Sequence, residues 1–447
     1  MRERRTTRRW WLPAVAAVAA ASAVTTGAPA APAAAVPAGP AAAAAPAGPV
    51  GPAAAAGPVG PAAPAGPTEP AAPVGPTEPA APVGPVGPVG PAAPTPWPPR
   101  VEVTDLPAGF QPAAINDRGL ILGRLGTDVV VVDDDGEPAG TVGPWEPFPN
   151  PLCPGPICFW PTPSAPIVND RGVVATSLGR HATLWDDGET TDLNGDAAGS
   201  WVLDLNDGGD ALVTRFTADH QQVGLWDRGR FTEIGRWALD TLVVGRMSER
   251  GHVVLTVLVV RPPTPAVSSL LWHRGETTTF EGFVPRDVNR HGQVAGERLN
   301  PADPFDNTPA IWEDGEITLL PTLGGRGHGV STINDRGQVA GFGTLPGVPG
   351  SRALRWDDGE IVDVGAATDL LESRPFGFTD RGDVLFGGLT TAFHTAGFVW
   401  DDGEVVRLPP ADDGDVDPVA MNDRGQVVGT RRAPGPQQPT IPTLWER

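Results

Sequence analysis

The sequence predicts an all-β protein, a β-propeller of eight four-stranded blades with seven as the alternative count. Three observations carry that expectation. A phrase of the form Ile-Asn-Asp-Arg-Gly returns eight times, at 115–119, 168–172, 205–209, 247–251, 288–292, 333–337, 378–382 and 421–425. A second phrase, Trp-x-x-Gly, alternates with it at Trp185, Trp226, Trp272, Trp312, Trp356 and Trp400, with a degenerate copy at 130–137 and a truncated one ending at Trp445. The closing glycines of the first phrase lie 53, 37, 42, 41, 45, 45 and 43 residues apart, a period that belongs to repeat architectures.

Each phrase reads as a hairpin. In Asn334-Asp335-Arg336-Gly337, Asn suits the first position of a type I turn. The Gly supplies the left-handed residue of a three-residue loop with a G1 bulge. The flanks, Ser-Thr-Ile before and Gln-Val-Ala-Gly-Phe after, carry the apolar and β-branched residues of strands. Trp356-Asp357-Asp358-Gly359 is expected to turn the chain in the same way. Two hairpins per repeat make the four strands of one propeller blade. The small pairs Ala295-Gly296 and Ala340-Gly341 suit a strand beside a crowded central axis, and the regular Trp suits packing between blades. The recurring Asp has a sufficient role in turn formation.

The two ends of the repeat array complement each other. The chain stops after a third strand, at 442–447, and the array begins with Val-Glu-Val-Thr-Asp-Leu-Pro at 101–107, which reads as the missing fourth. Strand 101–106 is therefore expected to pair with the C-terminal blade, leaving no open sheet edge.

Ahead of the array, residues 1–30 carry five Arg, an apolar run from Trp10 to Val24, and small residues before Ala23 and Ala30, the organisation of a secretory signal peptide. The stretch Thr7-Arg8-Arg9-Trp10-Trp11-Leu12 resembles a twin-arginine signal, so a Sec or a Tat-like export route is expected. The apolar run is shorter than the roughly 20 residues a membrane span needs. Residues 31–100 are almost entirely Ala, Pro, Gly and Val, a composition that cannot bury a core and reads as a disordered, extended linker. The three regions expected are thus 1–30 signal, 31–100 linker and 101–447 propeller.

The chain has a formal net charge of −21 and no Lys, so its 32 basic residues are all Arg. That acidity argues against nucleic acid, whose phosphates need a basic face. Removal of the signal peptide would leave no integral membrane span. The two cysteines, Cys153 and Cys158, form a close pair in a Pro-rich loop, expected to be a disulfide in an exported protein.

The segments 323–343, LGGRGHGVSTINDRGQVAGFG, and 181–193, HATLWDDGETTDL, resemble the HAF-repeat family of predicted extracellular proteins. The resemblance extends over essentially all of 101–447 and departs from the family at its naming triplet, which only His181-Ala182-Thr183 approaches. It implies secretion and a repeat fold. It implies no catalytic residues.

No nucleophile elbow, phosphate-binding loop or paired-His metal motif is present in the sequence. In an antiparallel blade the two turn phrases fall at one end, and the variable connections fall at the other. Function on a repeat scaffold usually sits in such loops. The candidate ligand-binding residues there are Trp145, Trp160, Asp303, Asp306, Arg326 and His328. The loop holding Asp412, Asp413, Asp415 and Asp417 is the candidate cation site, with Ca²⁺ the cation and no other cofactor expected. The expectation is a monomeric, non-enzymatic binding or structural module, secreted or at the cell surface, with a cell-wall glycan or extracellular protein as partner. A polysaccharide hydrolase or lyase and a calcium-stabilised adhesin are the alternatives.

Overall fold

The computed structural model describes residues 101–144, 166–259, 266–303, 306–435 and 438–446. The expected signal peptide, linker, Trp145, Trp160, Cys153 and Cys158 lie outside them.

Eight four-stranded antiparallel sheets follow one another along the chain, which settles the blade count at eight. Blades 1 to 7 span 110–144, 167–192, 199–238, 241–280, 283–319, 329–363 and 374–407. Blade 8 joins three strands from 415–446 to the N-terminal strand Glu102–Asp105, in register Glu102↔Glu446 to Asp105↔Thr443. The expected closing strand is present, trimmed by one residue at each end. Within blades 1 to 7 the strands run from inner to outer in chain order, and in blade 8 the N-terminal strand takes the outer place, so both turn phrases sit at one end (the turn end) and the variable connections at the other (the loop end).

The first phrase folds as expected. The amide of Gly337 donates to Asn334 O at 3.1 Å, that of Asn334 to Gln338 O at 2.9 Å, and Gly337 takes φ of 79°. The second phrase differs. Asp358 and Gly359 have φ of 49° and 80° between the paired residues Asp357 and Glu360, which makes a two-residue turn of type I′. Six blades repeat this pair of positive φ values, and the residue ahead of Gly is Asp in four of them and Arg228 or Arg274 in the others. The preference for Asp before Gly follows from its tolerance of the left-handed region.

The small residues after the first turn are crowded by a different neighbour than expected. They lie on the second strand of each blade, opposite a bulge in the inner strand, as between Val330 and Thr332. A Cβ on Gly296 would stand 2.2 Å from Val284 O, and one on Gly341 2.2 Å from Gly329 O. The inner strand's backbone, not the central axis, excludes a side chain there.

The core is divided among the seams between blades, with one apolar cluster at each. Because a strand sends alternate side chains to opposite faces, each second strand serves two seams. Val384 and Phe386 enter the cluster shared with blade 6, while Leu385 enters the one shared with blade 8. The repeated Trp anchors these layers. Trp356 is buried and donates from Nε1 to Pro321 O at 2.8 Å, across to the connection from blade 5.

A polar latch crosses most seams at the turn end. Asn116 Nδ2 donates to Asn169 O at 2.7 Å, Asn169 to Asn206 O at 2.9 Å, Asn289 to Asn334 O at 3.0 Å and Asn334 to Thr379 O at 3.0 Å. The ring closes where Asn422 Nδ2 donates to Asn116 O at 2.8 Å. Each of these Asn side chains is buried, and its Oδ1 also accepts amides of its own turn, as Asn334 does from Arg336 and Gln338. Turn residue and inter-blade latch are one side chain.

Asn334→Ala should therefore cost about 1–3 kcal/mol, the range for orphaning buried partners. Denaturant unfolding would measure it against Asp358→Asn, a change in an exposed turn. Equal midpoints for the two variants would show that the latch does not bear on stability.

Candidate functional site

The turn end surrounds the axis with carboxylates. The residue after each latch Asn points its backbone amide at the next blade, where the equivalent side chain accepts it. Asp117 N donates to Asp170 Oδ1 at 2.7 Å, Asp170 N to Asp207 Oδ1 at 2.7 Å and Asp207 N to Glu249 Oε2 at 2.6 Å. Arg290 N donates to Asp335 Oδ1 at 3.0 Å, Asp335 N to Asp380 Oδ1 at 3.0 Å, Asp380 N to Asp423 Oδ1 at 2.8 Å and Asp423 N to Asp117 Oδ1 at 2.7 Å. Seven seams are linked this way. The eighth position holds Arg290, which has no carboxylate to offer Glu249. The recurring Asp thus does more than form a turn.

These links hold like charges near one another, and the pKa values respond. Burial raises Asp170 and Asp207 above the usual carboxylate range, assisted by the neighbouring ring charges Asp117 and Asp170 respectively. Burial likewise lifts Asp423 to about 6 and Glu249 to about 7, with ring neighbours adding to both. Part of the ring lines a cavity of about 250 Å³ at the axial mouth, with Asp117, Asp170, Asp207, Glu249 and Asp423 on its rim.

One layer down the inner strands, two residues before the latch position, lie Asp204, Arg246 and Asp287 of blades 3, 4 and 5. Asp204 accepts the Met247 amide at 2.8 Å, and Asp287 accepts the Thr332 hydroxyl at 2.5 Å and the Ile333 amide at 3.1 Å. Burial raises the pKa of both carboxyls, and the charge of Arg246 opposes the rise at each.

At the loop end the candidate residues Asp303, Asp306, Arg326 and His328 come together between blades 5 and 6. The Arg326 guanidinium pairs with the Asp303 carboxylate, and the Asp306 amide donates to Asp303 O at 3.0 Å. His328 is buried beneath them, its pKa lowered by burial against the charge of Asp306. The four candidate cation ligands do not assemble. Asp415 is taken up by Arg432 at 3.0 Å and by His394 at 3.1 Å, while Asp412 and Asp413 sit on an exposed turn with φ of 47° and 58°. Among the described residues no group of three or more His, Cys, Asp or Glu is placed to hold a metal ion.

The loop end also holds what reading the sequence passed over. The large apolar side chains most exposed among the described residues are Leu125, Leu319, Val348, Leu371, Phe376 and Phe393; Phe376 sits at the bulge in the middle of the first strand of blade 7, and the other five lie in or beside the loop-end connections. Phe393 is 76% exposed. Leu371 donates its amide to Leu389 O at 2.7 Å, Thr391 donates to Asp369 O at 3.0 Å, and Gly350 abuts Leu371. The segments carrying Val348, Leu371 and Phe393 are therefore joined in one patch over blades 6 and 7. No periodicity marks these residues, since each sits in an irregular loop. The ring carboxylates did have a signal, the acid that recurs at the third position of seven of the eight first phrases.

Neither a protein-family model nor a curated protein sequence matches the chain. Solved structures do. Dipeptidyl peptidase 4 of Porphyromonas gingivalis superposes with a TM-score of 0.53 at 12% identity, over 76% of this chain and 58% of that one. The β-propeller domain of the Trilobed protease from Pyrococcus furiosus gives 0.45 at 14% identity, over 68% and 97%. TolB from Acinetobacter baumannii gives 0.32 at 12%, over 61% and 78%. The likeness to the dipeptidyl peptidase is one of fold, the β-propeller, and this chain spans little more than half of that enzyme.

The ring makes stability depend on pH in a defined direction. A carboxyl whose pKa is higher in the folded protein than in the unfolded chain binds its proton more tightly when folded. It contributes stability at low pH that is lost as pH rises through the folded value. For Glu249 and Asp423 that loss runs up to about 7 and about 6. His252, lowered to about 4 by burial and by His273, acts in the opposite sense below its unfolded value, as do His273 and His328. Between pH 5.5 and pH 8 the two effects oppose each other, with Glu249 and Asp423 favouring the lower pH and the imidazoles the higher. Glu249 is partly open to solvent, which tempers its share. Glu249→Gln keeps an acceptor for Asp207 and removes the Glu249 share, so from pH 5.5 to pH 8 its melting temperature should fall less, or rise more, than that of the wild type; identical profiles for the two would refute the assignment.

Proposed function

We propose that the chain is an exported, monomeric β-propeller of the HAF-repeat kind that serves as a non-catalytic binding module at the cell surface, and that it grips a cell-wall glycan or an extracellular protein with its loop end. The division of labour between the two ends supports this reading. At the turn end the repeated polar side chains are spent on linking blades. The loop end varies from blade to blade and carries five of the six exposed large apolar side chains found among the described residues. Exposed apolar surface gathered in one place marks interaction sites on soluble proteins. The observation that carries the proposal is the patch of Val348, Leu371 and Phe393 on contiguous loops, beside the polar group of Asp303, Asp306, Arg326 and His328.

A panel of cell-wall polysaccharides and secreted proteins, tested against the full chain, should give selective retention by one class. The combined change Val348→Ser, Leu371→Ser and Phe393→Ser should weaken it at least tenfold. Retention unchanged by the triple variant would remove the loop end as the binding face.

A second reading, a secreted enzyme acting on polysaccharide by hydrolysis or elimination, draws on the axial layer of Asp204, Arg246 and Asp287 from three consecutive blades. It predicts release of reducing ends or unsaturated products from such a panel, abolished by Asp287→Asn. The binding-module reading predicts no turnover.

A further inference from the structure

The seam between blades 4 and 5 lacks the amide-to-carboxylate link that the other seven keep. At the latch position Ser248 replaces Asn, and its hydroxyl is engaged within its own blade by His252 at 3.1 Å. At the ring position Arg290 replaces the carboxylate, so the Glu249 amide, which sits in an exposed turn, has no acceptor among the described residues. Both inter-blade hydrogen bonds are missing here and at no other seam.

The chemistry around this gap is reversed as well. Elsewhere the residue after the repeated Trp is acidic in every blade that has one; in blade 4 it is His273, followed by Arg274. The residue after the first-turn Gly is Gln338 in blade 6 and Gln426 in blade 8, each reaching the acid beyond the Trp, Asp357 and Glu446. In blade 4 it is His252, whose ring lies 3.8 Å from that of His273. His273 hydrogen-bonds the backbone of Arg250, and its Nε2 is shielded from solvent without a partner. The turn of blade 5 abuts this pair, a Cβ on Gly292 falling 3.2 Å from His252 Nε2, and Arg290 Nε lies 3.5 Å from His291 Nε2.

Three arginines and three histidines, Arg250, Arg274, Arg290, His252, His273 and His291, thus lie in the turns that flank this seam, on a protein of net charge −21. The charges of Arg250, Arg274 and His291 are felt at His252, which is neutral near pH 7. Among the described residues Arg250 and Arg274 have no carboxylate within ion-pair distance, while Arg290 is 3.3 Å from Asp335. The opposing acids nearby are that Asp335, Glu276 beside His273, and Glu249, whose Oε2 faces away to the Asp207 amide.

We propose that this seam binds a phosphate- or sulfate-type oxyanion, which occupies the seat filled by a protein carboxylate at the other seams. The anion accepts the free Glu249 amide and is held by the guanidinium groups of Arg250, Arg274 and Arg290. Donors here exceed the two oxygens of a carboxylate, which favours a tetrahedral anion, and planar guanidinium groups suit such oxygens. The acidic ring around the axis repels an extended polyanion, so the ligand is a single ion or one terminal ester group.

The test uses the full chain. Inorganic phosphate, sulfate and glycerol phosphate would each be titrated against sodium chloride at matched ionic strength, following melting temperature and the imidazole proton signals of His252 and His273. Phosphate or sulfate should raise the melting temperature saturably beyond chloride and shift both imidazole signals. Glycerol phosphate acting as well identifies an ester end group as an acceptable ligand, and its failure restricts the seat to the free ion. Arg290→Asp restores the eighth carboxylate and should lower the apparent affinity at least tenfold while leaving the protein at least as stable without added anion. The exposed pair Arg250→Gln and Arg274→Gln should lose affinity to a similar degree without altering the fold. A wild-type response no larger than that to chloride, or one retained in full by Arg290→Asp, overturns the proposal.

Discussion

The structure depends on one backbone amide in each of seven blades finding its acceptor on the next blade. In a propeller the covalent chain crosses each seam only once, so lateral cohesion has to come from burial and from bonds between sheets. Burial supplies most of it, through eight apolar clusters that each straddle a seam. Apolar contact is non-directional, however, and does not by itself set how one sheet is rotated against another. The paired bonds from Asn and from the following amide are directional. Residues 306 positions apart in the chain, Asp423 and Asp117, make the same contact as neighbours in the repeat, so the closing seam is equivalent to those within the chain.

That solution has an electrostatic consequence. A carboxylate is a strong acceptor for an amide, but burial raises the proton affinity of Asp170, Asp207, Glu249 and Asp423, and the neighbouring charges of the ring add to it. The amide each one accepts offsets part of this. The raised pKa values of Asp170, Asp207, Glu249 and Asp423 are the residue left uncompensated. The same tension recurs inside blades, where Asp210 shares a hydrogen bond with Asp227 and Asp383 with Asp401. The turn end is therefore chemically committed: changing its side chains disturbs seams, which leaves the loop end free to vary.

How much of this could be read from the amino acids alone follows from where periodicity reaches. The two phrases recur because every blade turns tightly at the same two places, and their count, spacing and complementary ends were enough for an eight-bladed, closed propeller. What periodicity cannot show is the neighbour across a seam. Asn334 and Asp335 looked like turn residues because their local role suffices to explain them; their second role appears only when blade 7 is set beside blade 6. Gly296 and Gly341 were correctly taken as crowded, but the crowding atom is a carbonyl displaced by a bulge that leaves no mark in composition. The loops are harder still. Phe393, Leu371 and Val348 are far apart in sequence and lie on segments joined by irregular connections, whereas among the acids of 412–417, adjacent in sequence, Asp415 is engaged by Arg432 and His394 instead.

Departures from the repeat carry information that the repeat itself does not. Where a latch decays elsewhere, the acids of the ring and of the position beyond the Trp are kept. Blade 7 exchanges Asn for Thr379 and Gln for Asp383 but retains Asp380 and Asp401, and blade 3 places Asp210 against Asp227. Independent drift at blades 4 and 5 would be expected to leave similar mixtures. Instead Ser248, His252, His273, Arg290 and His291 change together, on two different blades and in three different turns that flank one seam. Loss of the bonding pattern explains Ser248 alone. It does not explain why the lost carboxylate became a guanidinium when any small neutral residue would have cost the seam no more. A gap edged by cations and an open amide is complementary to an anion, and that complementarity is the property the substitutions have in common.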